Sequence, residues 1–146
     1  METIKISLRK TYLLSFVLVF GLFLASCSKD DNPDEPGTGD FDEVIGTYKG
    51  KLDTYSGANQ IYFDAELVVT KEGKDKVKIA AKAGKEYSNV TPKTFIADFI
   101  GSEAIASPTG SVEGQFIYTF KNKTLTVLTK QQSANDIVYH FEGVKQ

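Results

Sequence analysis

Four groups of side chains in this 146-residue chain have the means to do chemistry. Cys27 is the single cysteine, a sulfur nucleophile able to take a covalent substituent. His140 is the single histidine, the side chain whose charge changes nearest neutral pH. Asp64 and Glu66 stand two apart, which sets both carboxylates on one face of a strand, and paired acids bind calcium or serve glycoside hydrolysis. Lys71, Lys74, Lys76, Lys78, Lys82 and Lys85 crowd one short stretch, a patch suited to anionic glycans or lipopolysaccharide phosphates.

Most of these have a plainer reading. His140 alternates with Tyr139 and Phe141, so it faces outward, and no organised partner stands near it in sequence to make a base or a metal ligand. The acid pair lies opposite a face that is already apolar, which makes it a solvated face rather than a sugar cleft. Lysines on exposed strands discourage edge-to-edge pairing and keep a sheet soluble. One cysteine and one histidine exclude a disulfide framework and a zinc site of several Cys and His ligands. A net charge of −2 gives no reason to expect a nucleic-acid partner. No catalytic residue, metal or cofactor is assigned.

Cys27 alone has a context that gives it a role. Lys5, Arg9 and Lys10 precede an apolar run from Tyr12 to Ala25, about as long as a signal-peptide core and short of the roughly 20 residues that span a bilayer. The run ends in Leu24-Ala25-Ser26-Cys27, which resembles the lipobox of bacterial lipoproteins, whose signal peptidase cuts before a Cys that carries diacylglycerol. The resemblance implies a signal peptide over residues 1–26 and a lipidated Cys27. Loss of Glu2, Lys5, Arg9 and Lys10 would move the net charge from −2 to −4. One acyl chain holds a protein to a membrane only marginally, whereas two or more hold it firmly.

Residues 27–43 read as an acidic, disordered linker, since Ser28 to Asp40 offers almost nothing apolar to offset the entropy of ordering. From Ser28 to Asp42 it reaches at most about 50 Å stretched and about 20 Å as a coil. Its acidic start resembles the surface-export signal of lipoproteins in one group of anaerobic Gram-negative bacteria, and the solvation of a linker accounts for it equally well.

From Val44 to the end the pattern is period-two alternation, the mark of strands with one buried face. Ile61, Phe63, Ala65, Leu67 and Val69 alternate with Tyr62, Asp64, Glu66 and Thr70, leaving Tyr62 and Val68 as an outward apolar patch. Val77, Ile79 and Ala81 continue the pattern after a Gly73 turn. Val112, Gly114, Phe116, Tyr118 and Phe120 share a face, followed by Leu125 and Val127, then Ile137, Tyr139 and Phe141. Gly46 to Leu52 forms a first strand with Tyr48 and Leu52 inward. Weaker strands lie at 95–99 and 103–106. No helical periodicity appears, so at most one short helical turn is expected.

About eight antiparallel strands in a meander leave two open edges unless they close, so the predicted fold is a small all-β barrel over residues 44–146. Its core or pocket would be Tyr48, Phe63, Phe116, Tyr118, Phe120, Tyr139 and Phe141. A barrel this small is either filled by its own side chains or holds one small ligand. The outward residues are polar, which argues against a membrane-spanning barrel.

Ile45-Gly46-Thr47-Tyr48-Lys49-Gly50-Lys51-Leu52, Lys123-Thr124-Leu125-Thr126-Val127 and Val138-Tyr139-His140-Phe141-Glu142-Gly143 resemble the calycin-like β-barrel domain of small bacterial lipoproteins. Gly46-Thr47-Tyr48 is similar to the lipocalin Gly-x-Trp, with Tyr in place of Trp; the later lipocalin motifs have no counterpart. The resemblance implies a non-enzymatic, outer-membrane binding module for a small apolar molecule, a glycan or an envelope protein. Two alternatives stay open: an accessory subunit of an outer-membrane complex with no ligand of its own, and a protease-inhibitor-like barrel.

Overall fold

The computed structural model describes residues 40–55 and 59–146. Leu24, Ala25, Ser26 and Cys27 lie outside the described residues, as do the whole of the expected signal peptide and most of the expected linker. The described chain is all-β: a 3₁₀ turn at Phe41–Val44 leads into β1 (Gly46–Thr54), β2 (Gln60–Lys71), β3 (Lys76–Ala81), β4 (Lys93–Ile96), β5 (Asp98–Ile100), β6 (Ala104–Ala106), β7 (Gly114–Thr119), β8 (Thr124–Thr129) and β9 (Tyr139–Lys145). All the pairings are antiparallel, and the sheet order is β4-β3-β2-β1-β9-β8-β7-β6-β5.

That order is an up-and-down meander wound nearly into a barrel. The first strand pairs with the last, Tyr48 to Thr54 of β1 running against Lys145 to Tyr139 of β9. The two ends of the sheet, β4 and β5, are consecutive in the chain with Ala97 alone between them. They act as one bent strand whose first half bonds to β3 and whose second half bonds to β6. At the bend the Ala97 N–H still donates to the Asp75 carbonyl at 2.9 Å, one residue beyond the last β3–β4 pair. Nine assigned strands therefore do the work of the eight expected.

Closure depends on a close approach at one glycine. Gly50 pairs with Gly143, and a Cβ on Gly50 would sit 2.0 Å from the Glu142 carbonyl oxygen and 2.4 Å from the Gly143 Cα. Both obstacles are backbone of the closing strand, so any side chain there would push β1 and β9 apart.

The interior takes the inward row of every strand but β5. Tyr48, Leu52, Leu67, Ile79, Phe95, Ile105, Phe116, Tyr118, Leu125, Tyr139 and Phe141 are fully buried and form one cluster. Of the seven core residues expected, Tyr48, Phe116, Tyr118, Tyr139 and Phe141 are placed as read.

Phe63 is not. It is 75% exposed, and Tyr62 packs against the core instead. The cause is a β-bulge: Gly50 pairs with Ala65 and Leu52 with Tyr62, so Phe63 and Asp64 together oppose Lys51 alone, with Asp64 in the left-handed region at φ 61°. One extra residue reverses the alternation, moving Ile61 and Phe63 outside and Tyr62 inside. Val68 remains half-buried on the outer face.

Three smaller differences follow from chain direction at element ends. Phe120 lies past the end of β7 and is only partly buried at the rim, as is Ile137 just before β9. Val112 is 72% exposed because it precedes Gly114, whose φ of 122° turns the chain before β7 begins. The last residues of the expected linker are built into the fold: Asp40 caps the 3₁₀ turn by accepting the Asp42 N–H at 2.9 Å, and Phe41 packs on the core.

Candidate functional site

The two ends of the barrel are covered by its own chain. At one end the 3₁₀ turn closes a run of rings: Phe41 lies edge-on to Phe99 at 6.3 Å, Phe99 stacks on Phe120 at 6.2 Å, Phe120 meets Tyr118 at 5.3 Å, and Tyr118 meets Tyr48 at 6.0 Å. The Tyr48 hydroxyl then donates back to the Val44 carbonyl at 2.7 Å. At the other end, Tyr87 and Val90 from the β3–β4 connection are buried in the core. The Glu66 N–H donates to the Tyr87 hydroxyl at 2.8 Å, and the Tyr62 and Tyr87 rings lie 5.4 Å apart.

That second end also holds Lys93, whose side chain is only 4% exposed. Lys93 precedes Phe95 by two residues and so points the same way, toward the core. Its ammonium donates to Asp136 Oδ2 at 2.7 Å and to Gln132 Oε1 at 3.4 Å, with Glu113 Oε2 at 3.8 Å. Asp136 also accepts the Gln132 and Ser133 N–H groups at 3.0 and 3.3 Å. The hydrogen bond from Lys93, then those N–H groups, hold its carboxyl below the ordinary carboxylate range. A few residues on, the Ile137 N–H donates to Thr91 Oγ1 at 2.9 Å. The β8–β9 connection is thereby pinned to the start of β4.

Next to this cluster, on the outer surface, a cleft of about 460 Å³ runs along the seam between β4 and the β6–β7 loop. Lys76, Thr94 and Ile96 form one wall, on the outward phase of β3 and β4; Pro108 to Glu113 form the other. Glu113 contributes to both the cleft and the Lys93 cluster. Thr94 Oγ1 donates to Glu72 Oε2 at 3.1 Å, and Lys130 Nζ donates to the Ser111 carbonyl at 3.1 Å. The arrangement offers hydroxyls, lysines and an apolar strip of Ile96, Pro108 and Val112. It suits recognition.

The other residues considered from sequence do not come together. His140 is partly exposed on the outer face with Glu142 Oε1 at 3.3 Å from its Nε2. Asp64 pairs with Lys49 at 3.2 Å, whereas Glu66 accepts two hydrogen bonds from Lys82 at 2.9 and 3.0 Å, so each carboxylate has its own lysine. The Lys82 hydrogen bonds are the main reason the Glu66 carboxyl sits below its ordinary range. Lys71 pairs with Asp42, Lys78 with Glu72 and Lys82 with Glu66, so among the described residues Lys74 and Lys76 are the hairpin lysines without an acid partner. Among the described residues, no group of three or more His, Cys, Asp and Glu side chains gathers to hold a metal ion.

No known family model, curated protein or solved structure matches this chain.

Inside the barrel, two phenols stand out. The hydroxyls of Tyr118 and Tyr139 are buried with no hydrogen-bond partner among the described residues, and burial raises both pKa values, keeping the rings neutral. An unanswered buried hydroxyl costs about 1–3 kcal/mol. Sequence reasoning missed Lys93, Asp136 and the Pro108–Glu113 wall. A lysine in phase with Phe95 was the available signal for the first; the partners come from connections far apart in sequence, which alternation cannot place.

Proposed function

We propose that this chain is a calycin-like lipoprotein of the bacterial cell envelope, anchored through Cys27, that works as a non-catalytic binding module and binds a protein partner on the outside of its barrel. The observation that carries the choice of partner is the filled interior: six aromatic rings occupy the barrel, whereas the seam cleft and the bulge residues Ile61 and Phe63 are accessible outside it. Exposed apolar side chains beside a polar rim are what protein-binding surfaces present. The anchor rests on the Leu24-Ala25-Ser26-Cys27 sequence, and the outer-membrane location on the lipobox together with the acidic residues that follow it.

Affinity capture of the native lipoprotein from detergent-solubilised envelopes, with mass spectrometry of co-purifying proteins and of extracted small molecules, tests this reading. A stoichiometric protein partner that no longer co-purifies after substitution of cleft or bulge residues supports it. Recovery of a stoichiometric small molecule and no protein overturns it. That second outcome has one observation in its favour, because the Tyr118 and Tyr139 hydroxyls would be answered by the polar end of an internal guest.

A further inference from the structure

We propose, resting on the reading that the binding surface lies outside the barrel, that the seam cleft takes an extended acidic segment of a partner protein as an added strand along β4. β4 ends the sheet: it is bonded to β3 on one side and to no strand on the other. Such an edge presents backbone donors and acceptors, and extended peptides bind by completing it.

Among the described residues, the protein's own chain does not close the gap. The continuation of β6 would face β4, but Ser107 is turned to β7, giving its N–H to the Phe116 carbonyl at 2.9 Å and accepting the Phe116 N–H on Oγ at 3.0 Å. The next residue, Pro108, has no N–H to offer across the seam. Gly110, at φ 84°, then turns the loop toward β7. What is left is a cleft of about 460 Å³, as large as ligand clefts commonly are.

The lining fixes the chemistry of the occupant. Ile96, Pro108 and Val112 make an apolar strip, and Val112 is largely exposed. Glu113 is the acid of the lining and faces Lys93, while the neighbouring Glu72 faces Lys78. Lys76 on one wall and Lys130, bonded to Ser111 on the other, have no acid partner among the described residues. A strand alternating apolar and acidic side chains satisfies both features, one row meeting the strip and the other carrying carboxylates to the two lysines. The hairpin at Ile61 and Phe63 lacks this pairing of open edge, cleft and unanswered charge.

The test uses the full-length lipoprotein in detergent micelles and three blocked eight-residue peptides: alternating Val and Glu, alternating Val and Lys, and the Val/Glu peptide with its valines N-methylated. Binding is read by fluorescence anisotropy and its place by hydrogen exchange. The expected result is saturable binding of the Val/Glu peptide at least tenfold tighter than Val/Lys, slowed exchange at Thr94 and Ile96, whose N–H groups face away from β3, and loss of binding on N-methylation. The double variant Lys76→Glu/Lys130→Glu should invert the charge preference while its melting temperature stays that of the parent. Absent or charge-blind binding, protection elsewhere, or exchange at Thr94 and Ile96 already slow without peptide would overturn the proposal. The last outcome would mean that a second copy or the chain's own acidic linker fills the seam. Because the peptides are defined, these failures leave the envelope capture experiment untouched as a separate test of the binding-module reading.

Discussion

The two ends of the barrel are closed by different forces. At the 3₁₀ end, Phe41, Phe99, Phe120, Tyr118 and Tyr48 pass ring contacts from one strand to the next, backed by the hydrogen bond from Tyr48 to Val44 and flanked by Lys71, which pairs with Asp42 and lies over the Phe41 ring. At the other end a buried ammonium, Lys93, collects Asp136, Gln132 and Glu113 from two connections. The ring contacts themselves carry no charge, whereas the Lys93 closure depends on charge. The seam cleft shares Glu113 with the Lys93 end.

Phe116 sits between the two ends and is fully buried, with its ring 5.9 Å from Phe95. Phe116→Ala should cost about 3–5 kcal/mol, lowering both ends in one cooperative transition. Chemical denaturation followed by hydrogen exchange at each end checks this, and two separate transitions would show that the ends belong to different cooperative units. Phe41→Ala removes one ring of the 3₁₀ end and should cost about 1–2 kcal/mol, since a half-buried phenylalanine forfeits part of its burial and its ring contact. Measured at pH 7 and pH 3.5, that loss should be the same.

Asp136→Asn addresses the other end and should behave in the opposite way. The folded-state pKa of Asp136 lies below its unfolded value of 3.8, so its contribution is full above that value and is lost as pH falls through the depressed folded one. At pH 7 the variant should exchange amides over residues 131–137 faster than the parent. As pH falls through the depressed folded value the two should converge, because the parent's carboxyl is then protonated. A constant difference across the titration would remove the distinction between the ends. The smallest effect belongs to Phe63→Ala, which should change stability by no more than about 0.5 kcal/mol because the side chain stands in solvent. A loss as large as that of Phe116→Ala would mean that the bulge does not turn Phe63 outward.

Phe63 also marks the boundary of what the sequence could say. The alternation of Ile61, Phe63, Ala65, Leu67 and Val69 is unbroken on paper, and it placed the strand, its length and its C-terminal half correctly. A bulge leaves no trace in that alternation, since Tyr62 is as fit for a core as Phe63; only the partner strand, with Lys51 alone opposite two residues, reveals it. The barrel class was legible for the same reason that the bulge was not: hydrophobic period decides which face is buried, pairing decides where it slips. Closure through a strand bent at Ala97 and the Lys93 cluster are both long-range facts. Asp136 is 43 residues from Lys93, and nothing in its local Ser-Ala-Asn-Asp context marks it as the partner of a buried lysine.

The barrel interior is occupied by the protein's own buried side chains, and on the proposed reading recognition falls to the outer surface. Native mass spectrometry of the full-length protein, purified from the cell fraction in which it is found, addresses this most directly. The predicted spectrum shows the acylated chain with no further small molecule bound, before and after gentle activation. A stoichiometric apolar guest, retained by the parent and expelled by the inward-filling variant Ala65→Leu, would place the ligand inside the barrel and contradict that division of labour.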